Sequence, residues 1–324
     1  MVSRRMRLAS SCALALVVSA ASPAESQSVR VLPLGDSITE AYTGYASYRY
    51  WLWQDLISAG YSVDFVGSMQ GVYAGPPLYT DFDLEHEGHW GWRIDQVLAQ
   101  LPSWAADADP DISLVHIGHN DLWQGQGISS TIAELDALID TLRAQNPSIA
   151  IVLAQVIPAA PGIGLDEIPA FNVEVAALAA LKDSPQSPVV LVDHYTGFDP
   201  SSDTWDGVHP DESGEQLMAQ RWLAVLMTLL PSPSLVFKRA DCNADGGLNI
   251  ADAIAALSAL FESMPLMCID ACDSNDDGDF DLADPIYSLT HVFSLGPPPP
   301  APFSACGVDP TSDAIGCDAF AGCL

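Results

Sequence analysis

Basic residues are scarce. The 324-residue chain carries 11 Lys+Arg against 42 Asp+Glu, a formal net charge of −31, and its only lysines are Lys182 and Lys238. Phosphate backbones and anionic lipid surfaces repel such a chain, which argues against nucleic acid or a membrane surface as partner. Cysteine is missing from residues 25–240, so no disulfide can brace that stretch. Past the first two dozen residues there is no apolar run long enough to cross a bilayer. Apolar content is not lacking. At 49% it is too high for an acidic disordered tail, and the length suffices for one large or two ordinary domains.

Residues 1–24 begin with Arg4, Arg5 and Arg7, continue through LASSCALALVVSA and end in small residues that offer cuts at Ser19-Ala20-Ala21 or Ser22-Pro23-Ala24. This is the pattern of a secretory signal peptide, with an uncleaved anchor as the alternative. The expectation is a secreted chain, extracellular or held at the cell surface, with no membrane span after cleavage. Cys12 falls in the signal, while Cys242, Cys268, Cys272, Cys306, Cys317 and Cys323 crowd the C-terminal end. An even number in an exported region reads as disulfides, whose pairing the sequence does not choose. Zinc is disfavoured, because no CxxC occurs and His291 is the one histidine nearby.

Strand-like and helix-like segments alternate up to about residue 230. The runs 29–35, 61–68, 111–118, 149–156 and 188–195 read as buried strands; 47–60, 131–145, 171–181 and 213–230 have helical periodicity. That alternation predicts a five-stranded parallel sheet covered on both faces, with the site at the carboxyl ends of the strands. The expected division is a signal at 1–24, an α/β domain at 25–232, a linker at 233–240, a small acidic helical module at 241–295, and a Pro-rich spacer with a Cys-containing tail at 296–324. Residues 241–324 hold fourteen acids and no Lys or Arg.

Four blocks in the first domain suggest chemistry. Gly35-Asp36-Ser37 ends the first strand and can expose a hydroxyl. His86 to Arg93, expected to follow the second strand, contains Gly91, where a backbone N–H can approach a substrate. Gly118-His119-Asn120-Asp121 follows the third expected strand and offers the Asn120 amide. Asp206-Gly207-Val208-His209 precedes the last helix, and a carboxylate three residues from a histidine can orient the ring to take a proton from serine. Taken singly, each block is an ordinary polar turn; their order is the signal.

The ordered blocks resemble the SGNH hydrolases, or GDSL esterase/lipase family, over about residues 28–230. The resemblance implies a three-layer α/β/α fold and a metal-free serine esterase. It implies Ser37 as nucleophile, His209 as base and acid, Asp206 as orienting acid, and an oxyanion hole from Gly91, Asn120 and the Ser37 N–H. His119 stands where the family most often has Thr. HEGHWGWRI and DGVHP look like carbohydrate esterase family 3, which implies acetyl groups on a polysaccharide such as xylan, or another short-chain ester, as substrate. Trp90, Trp92, Trp123 and Trp205 sit in the motif loops; Trp51, Trp53, Trp104 and Trp222 read as core and rim packing, and His86, His89, His116 and His194 as structural or, alternatively, substrate-lining.

Residues 241–252 (DCNADGGLNIAD) and 273–284 (DSNDDGDFDLAD) match a calcium-loop pattern. The candidate ligands are Asp241, Asn243, Asp245, Asn249 and Asp252 with the Gly247 carbonyl, then Asp273, Asn275, Asp277, Asp281 and Asp284 with the Asp279 carbonyl. Gly246 and Gly278 serve the sharp turn. Each loop runs into an apolar helix. Two such copies with Asp at the last position resemble the dockerin module, which implies two calcium ions and a cohesin-type scaffold or cell-surface partner. Two other functions compete with a polysaccharide esterase. One is a lysophospholipase or acyl-thioesterase using the same triad; the other is a catalytically degenerate surface-binding or scaffold protein.

Overall fold

A computed structural model describes residues 28–231, 235–311, 313 and 315–323. The expected signal peptide lies outside them. The elements run β1 (Val29–Gly35), α1 (Ser37–Glu40), α2 (Tyr48–Ser58), β2 (Val63–Phe65), β3 (Met69–Gln70), β4 (Glu85–Gly88), α3 (Ile94–Ala108), β5 (Ile112–His116), α4 (His119–Trp123), α5 (Ile128–Gln145), β6 (Ala150–Gln155), α6 (Ile168–Lys182), β7 (Val189–Asp193), α7 (Glu212–Leu229), α8 (Ile250–Glu262) and α9 (Ala283–Ser294).

The sheet corrects the expectation of five parallel strands. The five expected strands do form, as β1, β2, β5, β6 and β7, and all their pairings are parallel. Two further strands join them. β4 runs parallel to the second half of β1 and β3 runs antiparallel to β4, giving a seven-stranded mixed sheet in the order β3-β4-β1-β5-β6-β7, with β2 beside the first half of β1. The sequence hides β4 because Glu-His-Glu-Gly contains no apolar run. Nor do the expected helices include α3, which carries Pro102 inside it.

Alternating side chains sort the strands into two cores, as the period of a strand demands. Leu32 and Leu34 of β1 with Ile151 and Leu153 of β6 pack against α3, α5 and α6. Val31, Leu114, Val152 and Ala154 face the other way, onto α2 and α7, where Trp222 is fully buried. Helices on both faces of the sheet make three layers.

The acidic C-terminal region is built differently. Its apolar cluster contains only Phe237, Cys268 and Ala271 at full burial. Disulfides join Cys242–Cys272, Cys268–Cys317 and Cys306–Cys323. Residues 237–240, expected as linker, are part of this unit: the Phe237 backbone pairs with Gly307 and the Arg239 side chain is fully buried. Arg239 reaches Asp276 at 2.8 Å, Asp309 at 2.9 Å and the Asp273 carbonyl at 2.8 Å. The stretch after residue 296, expected as spacer and tail, therefore folds back onto the loops instead of trailing away. No hydrogen bond or salt bridge among the described residues joins 28–231 to 235–323.

Candidate active site

β1 ends at Gly35, and a side chain there would collide with Thr39 Oγ1 at 2.2 Å and the His116 carbonyl at 2.4 Å. Only glycine lets the chain turn so tightly off the strand. Asp36 then caps α1, accepting from the Ile38 N–H at 3.0 Å, and this places Ser37 at the carboxyl edge of the sheet. Burial pushes the Asp36 carboxyl up to about 7, and the neighbouring charge of Asp121 adds to the effect.

The loop before α7 brings the other two groups of the expected triad to Ser37. His209 Nε2 lies 3.0 Å from Ser37 Oγ, and His209 Nδ1 lies 2.7 Å from Asp206 Oδ2. The second oxygen of Asp206 accepts the backbone N–H groups of His209 at 2.8 Å and Val208 at 2.9 Å. Burial alone would raise the Asp206 carboxyl, but these N–H groups and the His209 ring hold it below its ordinary value. An ionised Asp206 accepts a hydrogen bond from Nδ1–H, which keeps the proton on that nitrogen and leaves the Nε2 lone pair facing the serine. Gly207 makes the turn at φ +93°, and a side chain there would meet Ala160 and Ile163 at 2.9 Å.

Indoles lie on both neighbours of the imidazole. Trp90 stacks on His209 at 4.7 Å and 12°, and Trp205 stacks on it at 5.4 Å and 18°. Aromatic faces stacked on the ring restrain its orientation. Trp90 is fixed in turn by Glu40, which accepts its backbone N–H at 2.6 Å, and by Tyr73 stacked at 4.8 Å. Sequence reading had no way to couple Glu40 or Tyr73 to the site, since neither lies in a motif.

Gly91 follows β4, not the second expected strand. It sits at φ +78° in an open turn. The Asn120 amide donates to the Trp92 carbonyl at 3.0 Å and reaches Asp36 only at 3.4 Å, so its second hydrogen is the one left for another acceptor. His119, the departure from the usual Thr, is buried. Its Nε2 donates to the Ile157 carbonyl at 2.9 Å, and burial pushes its pKa down to about 4, so the ring is neutral. Of the other histidines, His86 bonds the Gly71 carbonyl and His89 is paired with Glu87 between Trp92 and Trp104. His116 and His194 are fully buried, and burial lowers both pKa values. Trp53 and Trp104 pack at the edges of the cores, and Trp123 stands exposed at the end of α4. Trp51 packs against the core between the sheet, α2 and α7 and also borders a cavity.

The two acidic loops have matching internal bonds. Asp241 Oδ2 accepts from Gly246 N–H and Asp273 Oδ2 from Gly278 N–H; Asp252 accepts from Asn249 N–H and Asp284 from Asp281 N–H. Asn243 and Asn275 each donate to the aspartate two residues on, Asp245 and Asp277. The donors are hard oxygens, and burial raises the pKa of Asp241 and Asp252 and takes Asp284 up to about 7, the last with the charge of Asp273 close by. A donor set of this chemistry fits calcium.

Residues 34–217 match the family described as GDSL-like Lipase/Acylhydrolase. A multidomain esterase of Ruminococcus flavefaciens is 29% identical over 219 residues, 60% of this chain, but the match spans only 28% of that longer protein. Two solved structures are similar across 62% of this chain and 97% of their own, each at 31% identity with a TM-score of 0.56. One is a mutant acetyl esterase with an acetate ion, the other a carbohydrate esterase family 3 protein from Talaromyces cellulolyticus.

Proposed function

The chain belongs to the GDSL-like lipase/acylhydrolase family and is a carboxylic ester hydrolase, and on that premise we propose that it is exported and removes O-acetyl groups from polysaccharide by a serine acyl-enzyme mechanism. The observation that carries this reading is the continuous chain Asp206–His209–Ser37, with bonds of 2.7 Å and 3.0 Å. Ser37 Oγ attacks the ester carbonyl while its proton passes to His209 Nε2. The tetrahedral oxygen takes up its charge beside the Gly91 N–H, the Asn120 amide and the Ser37 N–H. His209 returns the proton to the departing sugar oxygen. Water, deprotonated by the same nitrogen, then attacks the acetyl-serine and releases acetate.

Acetyl, not a long acyl chain, is the acyl group of this reading. The cleft touching Ser37 and His209 is walled by Ile38, Tyr42, Tyr48 and Trp205. The relatives named as an acetyl esterase and as a carbohydrate esterase support the same class. Ser37→Ala should lower kcat on p-nitrophenyl acetate and on acetylated xylan by ~10⁴-fold or more. Retention of wild-type turnover by that variant rules out the mechanism.

The C-terminal region holds two calcium ions, one in each loop, through the oxygen groups of Asp241, Asn243, Asp245, Gly247, Asn249 and Asp252 and of Asp273, Asn275, Asp277, Asp279, Asp281 and Asp284. It anchors the enzyme to a cohesin-type scaffold or cell-surface partner. What supports anchoring is apolar surface: Phe261 on α8 is 72% exposed, and Ile286 and Phe293 on α9 are 55% and 65% exposed. The three disulfides accord with export.

A further inference from the structure

Beside the cleft at Ser37 lies a much larger cavity, of about 510 Å³, bordered by Tyr45, Trp51, Tyr79, Asp211, Glu212 and Glu215. The two adjoin, with Tyr45 and Glu215 in the walls of both. A ladder of rings leads from the catalytic imidazole into the cavity: His209 stacks on Trp205, and Trp205 stacks on Tyr45 at 5.3 Å and 19°. On the far wall Tyr79 meets Trp51 edge to face at 6.3 Å and is held by stacking on Tyr50 at 4.2 Å. An acetyl group needs none of this space. The cavity is of the size that takes a small organic ligand, and its position fits whatever the acetyl group is attached to.

Its chemistry is selective. Three acidic side chains border it and, among the described residues, no cationic one does; burial keeps Glu215 protonated near neutral pH, so Asp211 and Glu212 carry the charge. Asp211 uses one oxygen to accept the Ser213 and Gly214 N–H groups, so the positive end of α7 is already occupied and offers nothing to an anion. Glu215 is buried and bonded to the Ser47 N–H at 2.8 Å and Trp51 Nε1 at 3.4 Å, which leaves exposed Glu212 as the freest acceptor. Aromatic faces with carboxylate acceptors suit a ring that presents C–H faces and donates hydroxyls. Asp211 and Glu212 repel a ring that carries its own carboxylate.

We propose that this cavity is the subsite for neutral sugar residues adjoining the acetylated one, and that its acidic rim turns away chains bearing uronic acids. The inference rests on the polysaccharide reading of the same site and adds the class of polysaccharide. It is tested with the full chain on four acetyl esters: acetylated xylo-oligosaccharides, acetylated oligogalacturonides, p-nitrophenyl acetate and acetylcholine. The neutral oligosaccharide should exceed the uronate one in kcat/KM by about tenfold at low salt, and the gap should shrink as salt rises. Glu212→Gln should narrow it by raising the rate on the uronate chain. Tyr79→Ala should lower the ratio of oligosaccharide to p-nitrophenyl acetate by about three- to tenfold, the scale of one lost aromatic contact. A variant that merely folds poorly lowers both rates together and leaves that ratio alone. Equal rates on neutral and uronate chains overturn the proposal, as does a Tyr79→Ala ratio equal to wild type. Acetylcholine outrunning the neutral oligosaccharide also overturns it, because the cavity then takes a cation. If p-nitrophenyl acetate is cleaved but no glycan releases acetate, the polysaccharide reading itself falls, and this subsite with it.

Discussion

Residues 28–231 and residues 235–323 reach stability by opposite means. The first region has no cysteine and two extended apolar cores on the two faces of one sheet. The second has three disulfides, a buried arginine clasped by carboxylates, and an apolar cluster of a few residues. Size explains the contrast. A small unit buries too little apolar surface to offset the entropy of its own chain, so cross-links and ion binding must supply what packing does not. The larger unit can spare its polar edge for chemistry, which is where Ser37 and His209 meet.

The strongest way to break this comparison is to remove the staples. Reduction together with calcium chelation should abolish the melting transition of residues 235–323 while kcat on p-nitrophenyl acetate stays at its native value. Calorimetry and a rate assay on the same sample decide it, and a transition that survives both treatments means that packing sufficed. Next in size is truncation of the other region's core. Trp222→Ala should destabilise the catalytic unit by ~3–5 kcal/mol and leave the second transition unmoved, as two calorimetric transitions would report.

Within the site, Asn120→Ala should lower kcat by ~10²–10³-fold with little change in KM, the cost of one oxyanion donor. A loss confined to KM would move Asn120 from transition-state stabilisation to ground-state binding. The smallest effect concerns pH. Burial takes Glu215 up to about 8 and Asp36 up to about 7, so between pH 6.5 and 8 the folded catalytic unit binds more protons than the unfolded chain. Its stability should fall as pH rises through that window, and Glu215→Gln should flatten the fall. Buried His119 and His194, pushed down to about 4 and 3, make no contribution above their ordinary value of 6.5. Denaturant midpoints across the window give the slope directly.

Much of the site was legible because its parts are short and local. Asp206 and His209 are three residues apart, and one turn holds them in register. Gly35, Asp36 and Ser37 form a single strand-to-helix corner. The two acidic loops stand out in the sequence for the same reason, since each lies within twelve consecutive residues, and the structure gives them matching internal hydrogen bonds. The sheet was less so. β4 is four residues of mostly polar type, visible only because it pairs with Leu34 and Gly35 of β1, and its absence from the reading attached Gly91 to the wrong strand. Residues 237–240 and the tail look like linker by composition, yet Arg239 and Phe237 are buried by partners far along the chain.

The order of motifs, the split into two regions and the presence of six late cysteines are properties of the sequence alone, because periodicity, charge and spacing are set by neighbours along the chain. The pairing of those cysteines, the indoles on both sides of His209 and the acidic aromatic cavity beyond Tyr45 are decided only by folding. Each joins residues that the chain separates widely, and which distant side chains meet depends on how the layers pack, a matter on which local propensity is silent.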